Sequence, residues 1–136
     1  MVKIDAIYEG NLRCRLSHGP SSEEIQTDAP TDNQGEGKFF SPTDLVPAAL
    51  GSCMLTVMGI VAAKHGVVMT GTRVSMTKEM VSQPSRRIGK MTAFIEMAPG
   101  IAAAKRKVLE NAAMLCPVKE SLHPEVQLQI QFHYPD

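Results

Sequence analysis

Residues Ser41–Gly66 read SPTDLVPAALGSCMLTVMGIVAAKHG and form the longest apolar run in the chain. Ser41 is a preferred N-cap residue, and the acid Asp44, three positions later, completes a capping-box pattern at a helix start. Gly66 is a typical C-cap residue at the other end. The stretch therefore predicts one long helix that carries Cys53 near its middle.

This helix is apolar on every side, which is typical of a helix that is buried on every side. Its uncharged part spans about 19 residues, close to the length that crosses a bilayer. It is rich in small residues and has no flanking basic cluster, which favours a buried helix over a membrane span. The remaining strands of a 136-residue chain cover only part of it, so a second subunit is the expected cover for the remainder. Pro47 predicts a lost hydrogen bond and a kink near the helix start.

The bulk composition fits a single globular domain over residues 1–136. Hydrophobic residues make up 43% of the chain, enough for a core without disulfides. Fourteen basic residues balance fourteen acidic ones and aromatic residues are 4%, so neither nucleic acid nor an anionic membrane is an expected partner. Three widely spaced cysteines and an N-terminus without a signal-peptide layout predict working thiols in a reducing, cytoplasmic setting.

Apolar residues that alternate with polar ones predict strands on both sides of the helix. The expected strands before it cover residues 2–9, 12–17 and 23–28, and a loop over residues 29–40 follows them. After it we expect a hairpin over residues 71–82 and 86–97, a helix over 101–114, a short helix from residue 117 and a strand over 126–133. This order predicts an α+β fold with antiparallel sheets and a buried helix.

Cys53 is the first candidate for chemistry. A free cysteine in a buried helix is often a small hydrophobe, and this reading stays open beside that of a nucleophile. A mid-helix position gains little from the helix dipole, so a thiolate there needs a nearby cation. Arg13 and Arg15, which share one face of the second strand, are the candidates, with a solvated strand face as their alternative reading.

Cys116 lies directly before Pro117 at the start of the short helix. The free N–H groups and the dipole of a helix start favour a thiolate, although a buried structural cysteine is the alternative. The two thiols could act as a peroxidatic and resolving pair if their Cα atoms come within about 7 Å. Cys14 alternates inward between two leucines and is interpreted as structural. The four histidines show no metal-ligand spacing, and Asp44 is a capping residue first and a member of a catalytic network second.

Several motifs together resemble the OsmC/Ohr family (osmotically inducible protein C and organic hydroperoxide resistance protein), in its OsmC-like branch. They are Ser41–Leu45, Ala48–Cys53, Cys116–Val118 and the closing Leu122–Val126. The resemblance covers essentially the whole chain. It implies an OsmC-like fold in which antiparallel sheets wrap a long central helix, and an intertwined homodimer with active sites at the subunit interface.

The resemblance also implies a thiol-dependent reduction of hydroperoxides without a cofactor. By position, Cys53 would be the peroxidatic cysteine and Cys116 the resolving one. The two would form a disulfide that an external dithiol, for example of the lipoyl type, would reduce.

The helix start differs from that of the family peroxidases, which place a Glu directly after the proline to hold the catalytic arginine. Here that position is Thr43, and an acid appears only at Asp44. Arg13 is favoured over Arg15 as the arginine. This difference favours an alternative, a non-catalytic OsmC-like protein that acts as a redox sensor or binds an apolar ligand.

Overall fold

The structure is a computed structural model that describes residues 1–135. The chain forms two compact units, Met1–Val46 and Pro47–Asp136. Each unit has its own three-stranded sheet. The expectation of a single domain over residues 1–136 stays a prediction.

The first unit is an antiparallel sheet with the strands in chain order, β1 (Ile4–Gly10), β2 (Arg13–His18) and β3 (Glu24–Asp28). The turn between β1 and β2 consists of Asn11 and Leu12, both with positive φ, at 54° and 61°. Two successive residues with positive φ are what a two-residue hairpin of type I′ requires. All of β1 except its last residue is exposed, so the sheet has little apolar cover of its own.

The long helix α1 spans Leu45–Lys64. The predicted capping box is present: the Ser41 N–H donates to Asp44 Oδ2 at 2.9 Å, and the Asp44 N–H donates to Ser41 Oγ at 3.1 Å. Ahead of α1, the Leu45 N–H donates to the Ser41 carbonyl at 3.3 Å, a bond between residues four apart. Pro47 has no N–H with which to make the corresponding bond to the Thr43 carbonyl, as predicted. The kink near the helix start stays a prediction.

The C-terminal end of α1 is closed by a Schellman motif. Gly66 has a φ of 65°, and the Val67 N–H donates to the Ala62 carbonyl at 2.9 Å. Only glycine adopts this left-handed conformation at little cost. The prediction of Gly66 as the C-cap is therefore confirmed.

Within the chain, α1 is buried on one face. The buried residues recur every three or four positions and are Pro47, Leu50, Gly51, Met54, Met58 and Ala62. The opposite face is exposed and small or apolar; its residues are Ala49, Ser52, Thr56, Ile60 and Ala63. The helix is long and apolar enough to cross a membrane by length and composition, and 33% of its most apolar window is buried. A core helix of a soluble protein passes the same test, so this is weak evidence for a membrane span.

The second sheet has the order β4 (Arg73–Val81), β5 (Arg87–Glu96) and β6 (Gln127–His133). β4 and β5 form the predicted antiparallel hairpin, but β6 runs parallel to β5. The chain makes this possible by returning through two helices, α2 (Ala103–Met114) and α3 (Pro117–Glu120), before it enters β6. The α+β prediction is confirmed, whereas the expectation of wholly antiparallel sheets is wrong for this pair.

The core of the second unit lies between α1, β5 and α2. Its fully buried residues are Leu50, Met54, Met58, Met91, Ala93, Ile95, Leu109, Ala113 and Cys116. Gly51 lets α1 approach β4 closely, because a Cβ at this position would lie 3.0 Å from side-chain atoms of Val74 and Met76. This close crossing places the middle of α1 firmly against the sheet, two residues before Cys53.

Candidate active site

The second unit brings Cys53 and Cys116 together. Cys53 is half-buried in the middle of α1, and Cys116 is fully buried at the break between α2 and α3. The two thiols lie close enough for Cys53 to raise the pKa of Cys116 through hydrogen bonding. Both cysteines are free thiols. The fold therefore brings two thiols that are far apart in the sequence to one site.

Burial raises the pKa of the Cys116 thiol, and the hydrogen bond to Cys53 raises it further. The backbone N–H groups of Lys119 and Val118 lower the pKa of Cys116, but burial raises it by more. The expectation that the helix start would favour a thiolate at Cys116 is therefore wrong. A helix of four residues offers little dipole, and desolvation of the charge dominates.

This arrangement gives the two sulfurs different chemical characters. A protonated Cys116 can donate its S–H to the Cys53 sulfur, and such a donor stabilises negative charge on its acceptor. Cys53 is also the more accessible of the two, since Cys116 has no exposed surface. A reagent from solvent therefore reacts with Cys53 first. Cys116 can then react with the modified Cys53.

Arg13 lies in the first unit, at the start of β2. Its Nη2 donates to Glu36 Oε2 at 3.1 Å, and its Nε is 3.7 Å from Asp28 Oδ2. The guanidinium also lies over the Phe39 ring, 5.8 Å from its centroid. Arg15, the other candidate, pairs with Glu9 at 3.2 Å.

Thr43 and Asp44 belong to the same unit as Arg13. Asp44 takes part in the capping box, and the Thr43 hydroxyl is 3.2 Å from the Ser41 hydroxyl. The structure thus gives Asp44 the capping role that the sequence predicts. Its second predicted role, in a catalytic network with Cys53, stays a prediction.

Asp28 was not among the residues predicted from the sequence. It ends β3 directly opposite Arg13 in the strand register, and its side chain is only 1% exposed. Carboxylates are seldom buried in proteins, so the burial of Asp28 is unusual. Asp28 was not predicted because it lies far along the chain from the helix that carries Cys53. The signal that could have found it is the pairing of β2 with β3, which sets Asp28 opposite the arginine under consideration.

Cys14 is half-buried and lines an open surface cavity of the first unit, with a volume of ≈ 350 Å³. Other lining residues include Tyr8, Leu12 and Thr43. Cys14 faces Tyr8 across the ladder of β1 and β2. Among residues 1–135, no group of three or more His, Cys, Asp or Glu side chains could hold a metal ion.

A family model described as OsmC-like protein matches residues 35–131 of the chain. The chain belongs to the OsmC-like family. A comparison with curated proteins finds no match. A structure from Psychrobacter arcticus 273-4, named as that of a candidate osmotic stress induced and detoxification response protein, is 39% identical with a TM-score of 0.92. The match covers 98% of this chain and 96% of that one.

Two more distant structures are those of organic hydroperoxide resistance proteins. The Legionella pneumophila protein is 14% identical with a TM-score of 0.78, and the match covers 97% of this chain and 96% of that one. OhrB of Bacillus subtilis is 15% identical with a TM-score of 0.72, and the match covers 98% of each chain. At these identities the likeness concerns the fold alone. The predicted OsmC-like fold is therefore confirmed.

Proposed function

We propose that this OsmC-like protein is a thiol-dependent peroxidase that reduces organic hydroperoxides. The observation that carries the proposal is the proximity of the accessible Cys53 to a buried Cys116, whose pKa is raised by burial and by Cys53. Such a pair has the parts that a two-cysteine peroxidase needs, an accessible nucleophile and a sheltered resolving thiol. The hydroperoxide resistance proteins that share the fold support the choice of substrate.

The first step is attack of the Cys53 thiolate on the outer oxygen of the hydroperoxide. An S–O bond forms, the O–O bond breaks, and the alkoxide leaves and takes up a proton as the alcohol. Cys53 becomes a sulfenic acid, so sulfur is oxidised by two electrons and the peroxide is reduced by two. In this proposal the Cys116 S–H donates toward the sulfur of Cys53 during the attack.

The second step joins the two sulfurs. Cys116 attacks the Cys53 sulfenic acid, its proton leaves with the hydroxyl group as water, and a disulfide forms. The raised pKa of Cys116 suits this order, because the resolving thiol stays protonated until its partner is oxidised. An external dithiol, for example a lipoyl group, then reduces the disulfide by thiol–disulfide exchange.

The proposal includes a homodimer in the cytoplasm, where glutathione and thioredoxin keep thiols reduced. Two exposed apolar surfaces support the dimer. One is the open face of α1, where Ile60 is 54% exposed. The other is β1, whose Ile4, Ile7 and Tyr8 are each more than half exposed. Burial of such exposed apolar side chains against a second chain would be favourable. Arg13, or else Arg15 of the same strand, is the proposed cation that stabilises the Cys53 thiolate, because the family peroxidases use an arginine for this role.

The test is to trap the sulfenic acid. The reduced protein receives one equivalent of cumene hydroperoxide with dimedone present, and peptide mass spectrometry locates the adduct. We expect an adduct on Cys53 and loss of peroxide turnover in Cys53→Ser, while Cys14→Ser, the matched control, behaves like wild type. No adduct on Cys53, together with normal turnover in Cys53→Ser, would sink the enzyme hypothesis.

The second candidate function is a redox sensor that reacts with peroxide once without efficient turnover. Thr43 favours it, because the family peroxidases place a Glu there. The same sample distinguishes the two functions when a dithiol is added. A peroxidase consumes many equivalents of hydroperoxide per chain, whereas a sensor stops after the disulfide has formed.

A further inference from the structure

The open cavity of the first unit has a volume of ≈ 350 Å³, which is enough for a small molecule. Three of its lining residues, Tyr8, Cys14 and Thr27, stand in one row across β1, β2 and β3. Neighbouring strands are about 4.8 Å apart, so the backbones of Tyr8 and Thr27 are separated by about 10 Å. Cys14, between them, has a short side chain. The cavity is therefore left open by a small residue in the central strand.

A loop with a fixed backbone forms a further wall of the cavity. The Asn33 N–H and the Gly35 N–H both donate to the Pro30 carbonyl, at 2.9 and 3.0 Å. The Ala29 N–H donates to the Leu12 carbonyl at 3.2 Å, which joins this loop to the turn between β1 and β2. Leu12, Ala29, Pro30 and Asn33 all line the cavity. The walls are thus held by backbone hydrogen bonds, as is usual for a pre-formed ligand site.

Thr27 supplies a buried polar group that lacks a partner. The residue is 3% exposed and lines the cavity. Within residues 1–135 its hydroxyl makes no hydrogen bond. Unlike Arg13 Nε and Asp28 Oδ1, this hydroxyl is not sealed from solvent, so its accessible part faces the cavity. Buried hydroxyls nearly always have a partner, which indicates that a molecule in the cavity supplies one.

The other lining groups restrict the chemistry of that molecule. Tyr8 Oη accepts a hydrogen bond from the Leu12 N–H at 3.3 Å, so the phenol is held in place and keeps its own proton for donation. None of the described residues that line the cavity carries a charge. An ion would lose part of its hydration there without gaining an opposite charge. The cavity therefore suits an uncharged molecule with an apolar body and one group that both donates and accepts.

We propose that this cavity is a binding site for a small uncharged alcohol. The apolar body of the alcohol contacts Leu12, Ala29 and Pro30, and its hydroxyl donates to Thr27 Oγ1. The Tyr8 O–H is the donor available to the oxygen of the same hydroxyl. Cys14 forms part of the wall, and no chemistry of its sulfur is involved. The proposal concerns the first unit alone and holds whether or not Cys53 reacts with peroxide.

The test is protection of Cys14 from alkylation by iodoacetamide, measured by peptide mass spectrometry on the reduced full-length protein in dilute solution. Benzyl alcohol is the probe, and toluene is the matched molecule without a hydroxyl. We expect benzyl alcohol to slow the alkylation of Cys14 in a saturable manner. Toluene should need about a tenfold higher concentration for half protection, because one net hydrogen bond changes an affinity by about a factor of ten.

Thr27→Val removes the hydroxyl and keeps the branched shape of the side chain. We expect it to raise the half-protecting concentration of benzyl alcohol about tenfold and to leave that of toluene unchanged. Thr27→Ser, which keeps the hydroxyl, is the matched control and should bind benzyl alcohol as wild type does. Circular dichroism checks the fold. If Thr27→Val does not fold, the comparison of benzyl alcohol with toluene on wild type decides the question.

Three results overturn the proposal. One is that benzyl alcohol gives no protection, and another is that it protects no better than toluene. The third concerns a second copy of the chain, because Tyr8 also belongs to the surface proposed for the homodimer. If Cys14 becomes protected as the protein concentration rises without any alcohol, a second copy fills the cavity. None of these results bears on the sulfenic acid at Cys53, which tests the proposed function separately.

Discussion

Replacing Cys116 with serine separates the two steps of the proposed reaction. The serine hydroxyl can still donate a hydrogen bond to Cys53, but it cannot form a disulfide. We therefore expect Cys116→Ser to react with about one equivalent of hydroperoxide per chain and to accumulate sulfenic acid at Cys53. Wild type should instead lose two of its three titratable thiols to the disulfide, with Cys14 left free.

The stability cost of this substitution can be bounded from the burial of Cys116, which has no exposed surface. A buried hydroxyl costs about 1–3 kcal/mol when it is incompletely hydrogen-bonded. Domains of this size have about 5–15 kcal/mol of stability, so the variant should remain folded. A lower urea midpoint with an unchanged slope would show this.

The assay combines thiol titration with mass spectrometry after addition of one equivalent of cumene hydroperoxide. Cys116→Ala, which lacks the hydrogen-bond donor as well, should react more slowly in the first step than Cys116→Ser. Cys14→Ser controls for the third thiol. A disulfide between Cys53 and Cys14 in Cys116→Ser, with turnover at the wild-type rate, would show that Cys116 is dispensable and would contradict this prediction.

Three further predictions concern the fold around the site. Met54→Ala, at a fully buried position of α1, should lower the free energy of unfolding by about 2–5 kcal/mol in urea denaturation. Ile60→Ala, on the exposed face, should not lower the stability of the monomer. Equal losses of unfolding free energy for both variants in dilute protein would contradict the assigned faces. Ser41→Ala removes one side of the capping box and should cost about 1 kcal/mol, and an unchanged unfolding free energy would show that the cap contributes nothing. Burial, followed by the nearby Glu110 carboxylate, raises the pKa of Tyr134 to about 12. Because the folded form binds this proton more tightly than the unfolded form, its contribution to stability is present below the ordinary value of 10.0 and is lost as the pH rises towards 12. Ultraviolet titration of Tyr8→Phe checks the value, and ionisation of Tyr134 near 10 would contradict it.

The ends of α1 could be predicted because each depends on local chemistry. The reciprocal bonds of Ser41 and Asp44 follow from their spacing, and the left-handed Gly66 follows from the need to end the helix. The alternation of apolar and polar residues likewise predicted that β6 is a strand. It did not predict that β6 pairs parallel to β5, because a period of two identifies a strand but not its neighbour.

The site could be predicted only in part. The family motif located Cys53 and Cys116, and their contact follows from packing that no local pattern contains. The protonated state of Cys116 could not be read from its place at a helix start, because burial decides it. Asp28 was missed for a related reason, since a lone acid at a strand end acquires meaning only when the register sets it opposite Arg13.

The parallel pairing of β5 with β6 has a consequence for the order of folding. The hairpin of β4 and β5 is local and can form early, but β6 joins only after α2 and α3 have been laid across the sheet. Contacts that close long loops form late because the loop entropy is lost before the contacts compensate for it. Cys116 lies within that late crossover. We expect the thiol pair to be among the last features completed, so that a nascent chain passes through a period in which Cys53 has no resolving partner and depends on the surrounding reductant for protection.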